Sequence, residues 1–163
     1  MSSICLIDTS VFLNLMDVPN RNNDKAQVQD DFKTYALEGC TFILPMATII
    51  ETGNHIAQNG DGNIRRQTAS RFVAYIKLAF TNKAPFRLSE LPDSQEILTW
   101  IDEFPDHAGR NKSPTKTTEG TSFGDLSIIK EYEKCLKLFS MSEVFIWSLD
   151  SDLQQYHQRV RLI

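Results

Sequence analysis

Two short apolar runs, ICLI at residues 4–7 and VFIWSL at residues 144–149, each stop abruptly at an aspartate, Asp8 and Asp150. A run of this length with no polar alternation predicts a strand buried on both faces, and strands of that kind occur in parallel sheets covered by helices. The segments between the two runs agree. VFLNLMD predicts a short helix stopped near Pro19, and residues 25–38 a second helix ended by Gly39. Residues 41–44 predict a strand ended by Pro45, followed by a helix carrying Ile49, Ile50, Glu51, His55 and Ile56.

Farther along, Ala69, Phe72, Val73, Ile76, Ala79 and Phe80 recur at helical spacing between Ile64 and about Asn82. Residues 85–88 predict a short third strand, and Ser94 to Phe104 a helix with Ile97, Leu98, Ile101 and Phe104 inward. Residues 105–122, PDHAGRNKSPTKTTEGTS, show no apolar period and read as a long mobile loop. Leu126, Ile129, Tyr132, Leu136 and Phe139 then mark a helix over residues 125–139, and a short helix and a last strand, Val160 to Ile163, follow Asp150. Strands alternating with helices predict an α/β chain with a central parallel sheet, because parallel neighbours need crossover connections. Nothing repeats internally, and 163 residues suit a single domain over 1–163.

Composition narrows the classes. With 41% hydrophobic and 23% charged residues the chain is that of an ordinary globular protein. Cys5, Cys40 and Cys135 are odd in number and far apart, which predicts reduced thiols in a cytoplasmic protein; no CxxC pair suggests zinc. The opening MSSICLIDTS lacks a basic leader, and no apolar run approaches the ~18 residues of a membrane span. A net charge of −4 argues mildly against a protein that coats nucleic acid. A carboxylate site that recruits phosphate through divalent metals would itself add negative charge.

The positions of the acids carry the functional reading. In open parallel sheets ligands bind beyond the carboxyl ends of the strands. Asp8 and Asp150 stand at that edge, Glu51 lies on the helix leaving the second strand, and Asp125 opens the helix after the long loop. Each acid alone is equally a turn or N-cap residue. Together they would repel one another unless a cation neutralises them, and all-oxygen ligands select Mg²⁺ or Mn²⁺. Such ions activate water for attack on phosphorus.

In order and context these acids resemble the PIN-domain family: ICLIDTSVFLN for the first aspartate, LPMATIIETGNHI for the helical acid, SFGDLSIIKEY for the third and FIWSLDSDLQQY for the fourth. The resemblance spans nearly the whole chain. It implies an α/β/α sandwich with a parallel sheet and metal-dependent ribonuclease activity, often as a toxin held by an antitoxin, and commonly a homodimer. It further implies Asp8, Glu51, Asp125 and Asp150 as catalytic metal ligands, Ser10 as a hydrogen-bonding support, and Asp152 as an additional or replacement ligand. The chain and its loop exceed those of the compact family toxins.

Other polar residues stay open. His55, one turn after Glu51, would contact a phosphate or order a water, or simply occupy a surface face. Arg65, Arg66 and Arg71, with Arg110, Lys112 and Lys116 on the loop, would track an RNA backbone or merely solvate their segments. Trp100 and Trp147 lie in apolar segments and read as core; His107 and His157 support no assignment. Two rival functions remain: a non-catalytic PIN-like module binding RNA or protein, and a haloacid-dehalogenase-like phosphohydrolase. The latter expects a second aspartate where Ser10 stands.

Overall fold

The computed structural model describes residues 2–162. Four strands, β1 (Ser3–Ile7), β2 (Thr41–Leu44), β3 (Phe86–Leu88) and β4 (Glu143–Trp147), pair in the order β3-β2-β1-β4, all parallel. Helices α1 (Thr9–Leu15), α2 (Lys25–Leu37), α3 (Met46–Ala57), α4 (Gly62–Phe80), α5 (Ser94–Gly109) and α6 (Phe123–Leu138) connect them, and a 3₁₀ segment, Ser151–Tyr156, follows β4. This is the expected three-layer α/β/α sandwich.

The alternation of side chains along a strand sorts the two central strands onto two cores. Cys5 and Ile7 of β1 and Phe145 and Trp147 of β4 pack with Val11, Phe12 and Val28 from α1 and α2. Ile4 and Leu6, with Val144 and Ile146, pack on the other face with Ile128, Ile129 and Tyr132 of α6. Burial on both faces is why these strands show no polar alternation. Gly39, at φ +78°, ends α2 in the left-handed conformation that glycine adopts without a Cβ penalty.

Several boundaries differ from the sequence expectation. Helix α5 does not stop at Phe104 but runs through Pro105 to Gly109, so the connecting loop covers residues 110–122. Proline forfeits one helical hydrogen bond, but Phe104 packs edge-to-face on Phe123 of α6 at 5.2 Å and ties the last turns down. The predicted inward stripe of α5 is largely outward: Leu98 is 53% and Ile101 49% exposed. The helix packs chiefly against α6, so only a narrow strip of it is covered. Val73 and Phe80 of α4 are likewise exposed. In place of a last strand at residues 160–163, Val160 forms a single antiparallel bridge to Val144; Ile163 lies outside the described residues. Trp147 is core as expected, whereas Trp100 is only half-buried. No described helix is long and apolar enough to cross a membrane.

The topology fixes one location. From β1 the chain winds outward through β2 to β3, then returns across the sheet to β4 on the other side of β1. The connections leaving β1 and β4 therefore diverge above the strand ends, at the kind of switch point where open sheets bind ligands.

Candidate active site

Asp8 follows β1 directly above that point. It is 2% exposed, and Oδ2 accepts hydrogen bonds from Ser148 Oγ at 2.7 Å and Ser10 Oγ at 2.9 Å. Ser10 Oγ also accepts from the amide of Leu149 at 2.9 Å, and Ser148 Oγ from that of Asp150 at 3.0 Å. Two hydroxyls thus knit the ends of β1 and β4 around one carboxylate. Asp8 occupies the N-cap position of α1 but makes no capping hydrogen bond, so the turn-and-cap reading does not account for its side chain. Burial pushes its pKa up to about 6, against the Ser148 and Ser10 hydroxyls that favour the charged form; the charge of Asp125 adds to the rise.

Glu51 reaches the same place from α3. Its Oε2 accepts from Thr9 Oγ1 at 2.8 Å. Its Oε1 lies so near Gly124 that a Cβ there would stand 2.2 Å away. Glycine at position 124 therefore leaves room for the carboxylate. Asp125 sits in the first turn of α6, whose cap is Ser122: the Ser122 Oγ accepts from the Asp125 amide at 3.1 Å. The Asp125 side chain is left free of capping work. Asp150 stands at the mouth and makes no cap bond to the 3₁₀ segment. Burial raises its pKa, as do Asp125 and Asp152, while Lys116 and Lys112 oppose the rise.

Asp8, Glu51, Asp125 and Asp150 line one cavity of about 440 Å³, together with Ser10, Arg21 and His55. The four acids and Ser10 proposed from sequence therefore share a site. Asp152 does not join them. It lines a neighbouring depression with Arg110 and Lys112, and its Oδ2 is taken by Lys116 Nζ at 2.8 Å and Lys112 Nζ at 3.1 Å. Despite its burial, those two ammonium groups hold its pKa below the ordinary value. Lys112 also reaches Asp125 Oδ2 at 3.1 Å, and the two carboxylates raise its pKa against the effect of its own burial.

The remaining basic residues separate by role. Arg71 donates to the carbonyls of Met16 and Asp17 and so latches the loop after α1. Arg65 donates to the Asn59 carbonyl, and neither it nor Arg66 lines the cavity. Arg21, from the polar loop, does line it; His55 and Arg21 both contact Gln58 Oε1, at 3.2 and 3.4 Å. Sequence reading missed Arg21, Ser148, Thr9 and Gly124. Their signal was position alone: a hydroxyl at the end of an apolar strand, and a glycine beside an acid at a helix start.

The acids and hydroxyls of the cavity suit a hard cation, since they offer oxygen donors, and the charge of Asp125 raises the pKa of both Asp8 and Asp150. Among the described residues no three of the acidic, histidine or cysteine side chains converge on one point as they stand. Magnesium commonly takes only one or two carboxylates and keeps its waters, so such a spread set is compatible with it. Compared with protein-family models, with curated proteins and with solved structures, the chain finds no match. The reading of the site rests on its own geometry.

Proposed function

We propose that the protein is a Mg²⁺- or Mn²⁺-dependent endoribonuclease of the PIN kind, with Asp8, Glu51, Asp125 and Asp150 as the metal-holding acids. The observation that carries this is Asp8: a carboxylate buried at the sheet's switch point, held by two hydroxyls and facing three further acids across an open polar cavity. Burying such a charge is unfavourable without a compensating cation. A bound divalent ion would supply an activated water and charge stabilisation at phosphorus. The chain's own contribution is positioning. Ser10 and Ser148 fix the orientation of Asp8, Thr9 and Gly124 fix that of Glu51, and Arg21 offers a cation for a flanking phosphate. As a toxin the protein would also take an antitoxin and pair as a homodimer, which co-purification and light scattering would test.

Labelled single-stranded and structured RNA incubated with Mn²⁺, Mg²⁺ or chelator tests the reading, alongside Asp8→Asn and Asp125→Asn. Cleavage that needs the metal and is lost in both variants is expected. Folded, metal-binding protein that cuts none of these RNAs would sink it. A second reading, a non-catalytic binding module, is favoured by Lys112, whose ammonium already neutralises Asp125 and Asp152 from within the chain. It predicts RNA or protein binding that neither chelator nor Asp8→Asn alters.

A further inference from the structure

Beside the acid cavity, a groove of about 290 Å³ runs between α3, α5 and α6. Its walls are almost wholly apolar: Ile50 of α3, Ile97 and Trp100 of α5, and Phe123 of α6. Ile50, Ile97 and Phe123 are exposed, and Trp100 is half-buried. Glu51 lines both cavities, so the groove adjoins the proposed reaction centre.

One charged residue stands in it apart from Glu51. Glu131 is 8% exposed, accepts from Ser89 Oγ through Oε1 at 3.2 Å, and has no partner for Oε2. Lys134, whose charge favours the ionised form of Glu131, pairs instead with Glu96 at 2.9 Å. Burial pushes the Glu131 pKa up to about 7. A buried carboxyl oxygen without a partner is rare and costly unless a ligand or water completes it.

We infer that this groove is a nucleobase subsite, holding a base with an exocyclic amino group, from the nucleotide next to the scissile phosphate, against Trp100 and over Glu131. The inference rests on the ribonuclease reading for its neighbour, the phosphate. An aromatic wall stacks any base, because every base presents a π-face. A carboxylate adds selection, since it accepts from an amino group such as N4 of cytosine. Uracil presents a carbonyl oxygen where cytosine carries its amino group, so a carboxylate approached at that position meets an acceptor and gains no hydrogen bond. An apolar slot with one acceptor, adjoining a polar cavity, matches the division of a nucleotide into base and phosphate.

Binding of fluorescently labelled rC and rU hexamers, read by anisotropy, tests this without requiring turnover. It is run with the wild-type chain in chelator and with Asp8→Asn in Mn²⁺. The expected result is about tenfold tighter binding of the cytosine hexamer, a ratio that Glu131→Gln collapses. Trp100→Ala should weaken both hexamers about tenfold or more, with circular dichroism confirming that the variants fold. Equal affinities, indifference to Trp100→Ala, or no binding under either condition would overturn the subsite. Dimerisation through the groove, abolished by Trp100→Ala, would assign it to a second copy and also overturn it. Base-selective binding without any cleavage would refute the nuclease and keep the subsite; cleavage without base selection would do the reverse.

Discussion

At the scale of single residues, Asp8 and Gly124 make opposite demands. Asp8 is a liability to the fold. Below pH 4 the folded and unfolded chains both hold its proton, and its position costs little. As the pH rises the unfolded chain ionises near 3.8 while the folded chain keeps the proton until about 6, so stability is lost across that window. The shift corresponds to about 3 kcal/mol at neutral pH. Asp8→Asn should therefore raise the melting temperature of the metal-free protein at pH 7.5 by several degrees, measured calorimetrically, while abolishing cleavage. A lowered melting temperature would contradict the role given to burial. Gly124→Ala acts differently: its Cβ would push on the free end of the Glu51 side chain and not on backbone. The expected outcome is an unchanged melting temperature with kcat reduced about a hundredfold, since displacement by an ångström is costly in catalysis. The identity of the four acids was legible in the sequence because Asp8 and Asp150 follow strands, Asp125 opens a helix and Glu51 lies on the helix leaving the second strand, all toward one edge of a parallel sheet. Ser148, Arg21 and Gly124 were not, because their roles depend on which strand lies next to which and on a close approach that no pattern of residues records.

At the scale of elements, the segment between α5 and α6 is more than a hydrophilic connection. Its backbone is closed by the Lys112 amide donating to the Glu119 carbonyl at 2.8 Å and the Thr121 amide to the His107 carbonyl at 3.2 Å. Gly120 permits the second closure, since a Cβ there would stand 2.0 Å from the Ala108 carbonyl oxygen. The closed loop sets Lys112 between Asp125 and Asp152. Lys112→Ala should destabilise the metal-free protein by about 1–2 kcal/mol, because it leaves Asp125 without its ammonium and Asp152 with Lys116 alone. It should also tighten Mn²⁺ binding, since Asp125 is released. Chemical denaturation and metal titration of the same variant check both effects; weaker metal binding would contradict the competition. Pro105 made this loop look longer in sequence than it is, since proline normally ends a helix, and the Phe104–Phe123 contact that overrides it is tertiary. The outward stripe of α5 was unreadable for a related reason: periodicity reports an apolar face but not what covers it.

At the scale of the molecule, the parallel sheet and its two-faced core followed from the apolar runs, whereas the order of the strands and the balance of charge across the sheet edge are properties of the assembled fold. Asp8 and Glu131 both carry pKa values raised by burial, to about 6 and about 7. Each stabilises the fold only while protonated, so metal-free stability should fall as the pH is raised from about 5 to 7.5. A divalent cation that binds the ionised Asp8 should offset that fall. Melting curves across this range, with and without Mn²⁺, check it, and a metal-free protein that gains stability toward pH 7.5 would contradict it. A nuclease built on these four acids must hold a cation among them. Calorimetric titration of the metal-free protein with Mn²⁺ at pH 7.5, compared with Asp8→Asn and Asp125→Asn, asks this most directly. Saturable binding that both variants weaken at least tenfold is expected; no binding, or binding that both variants leave unchanged, would contradict a metal site built on Asp8 and Asp125.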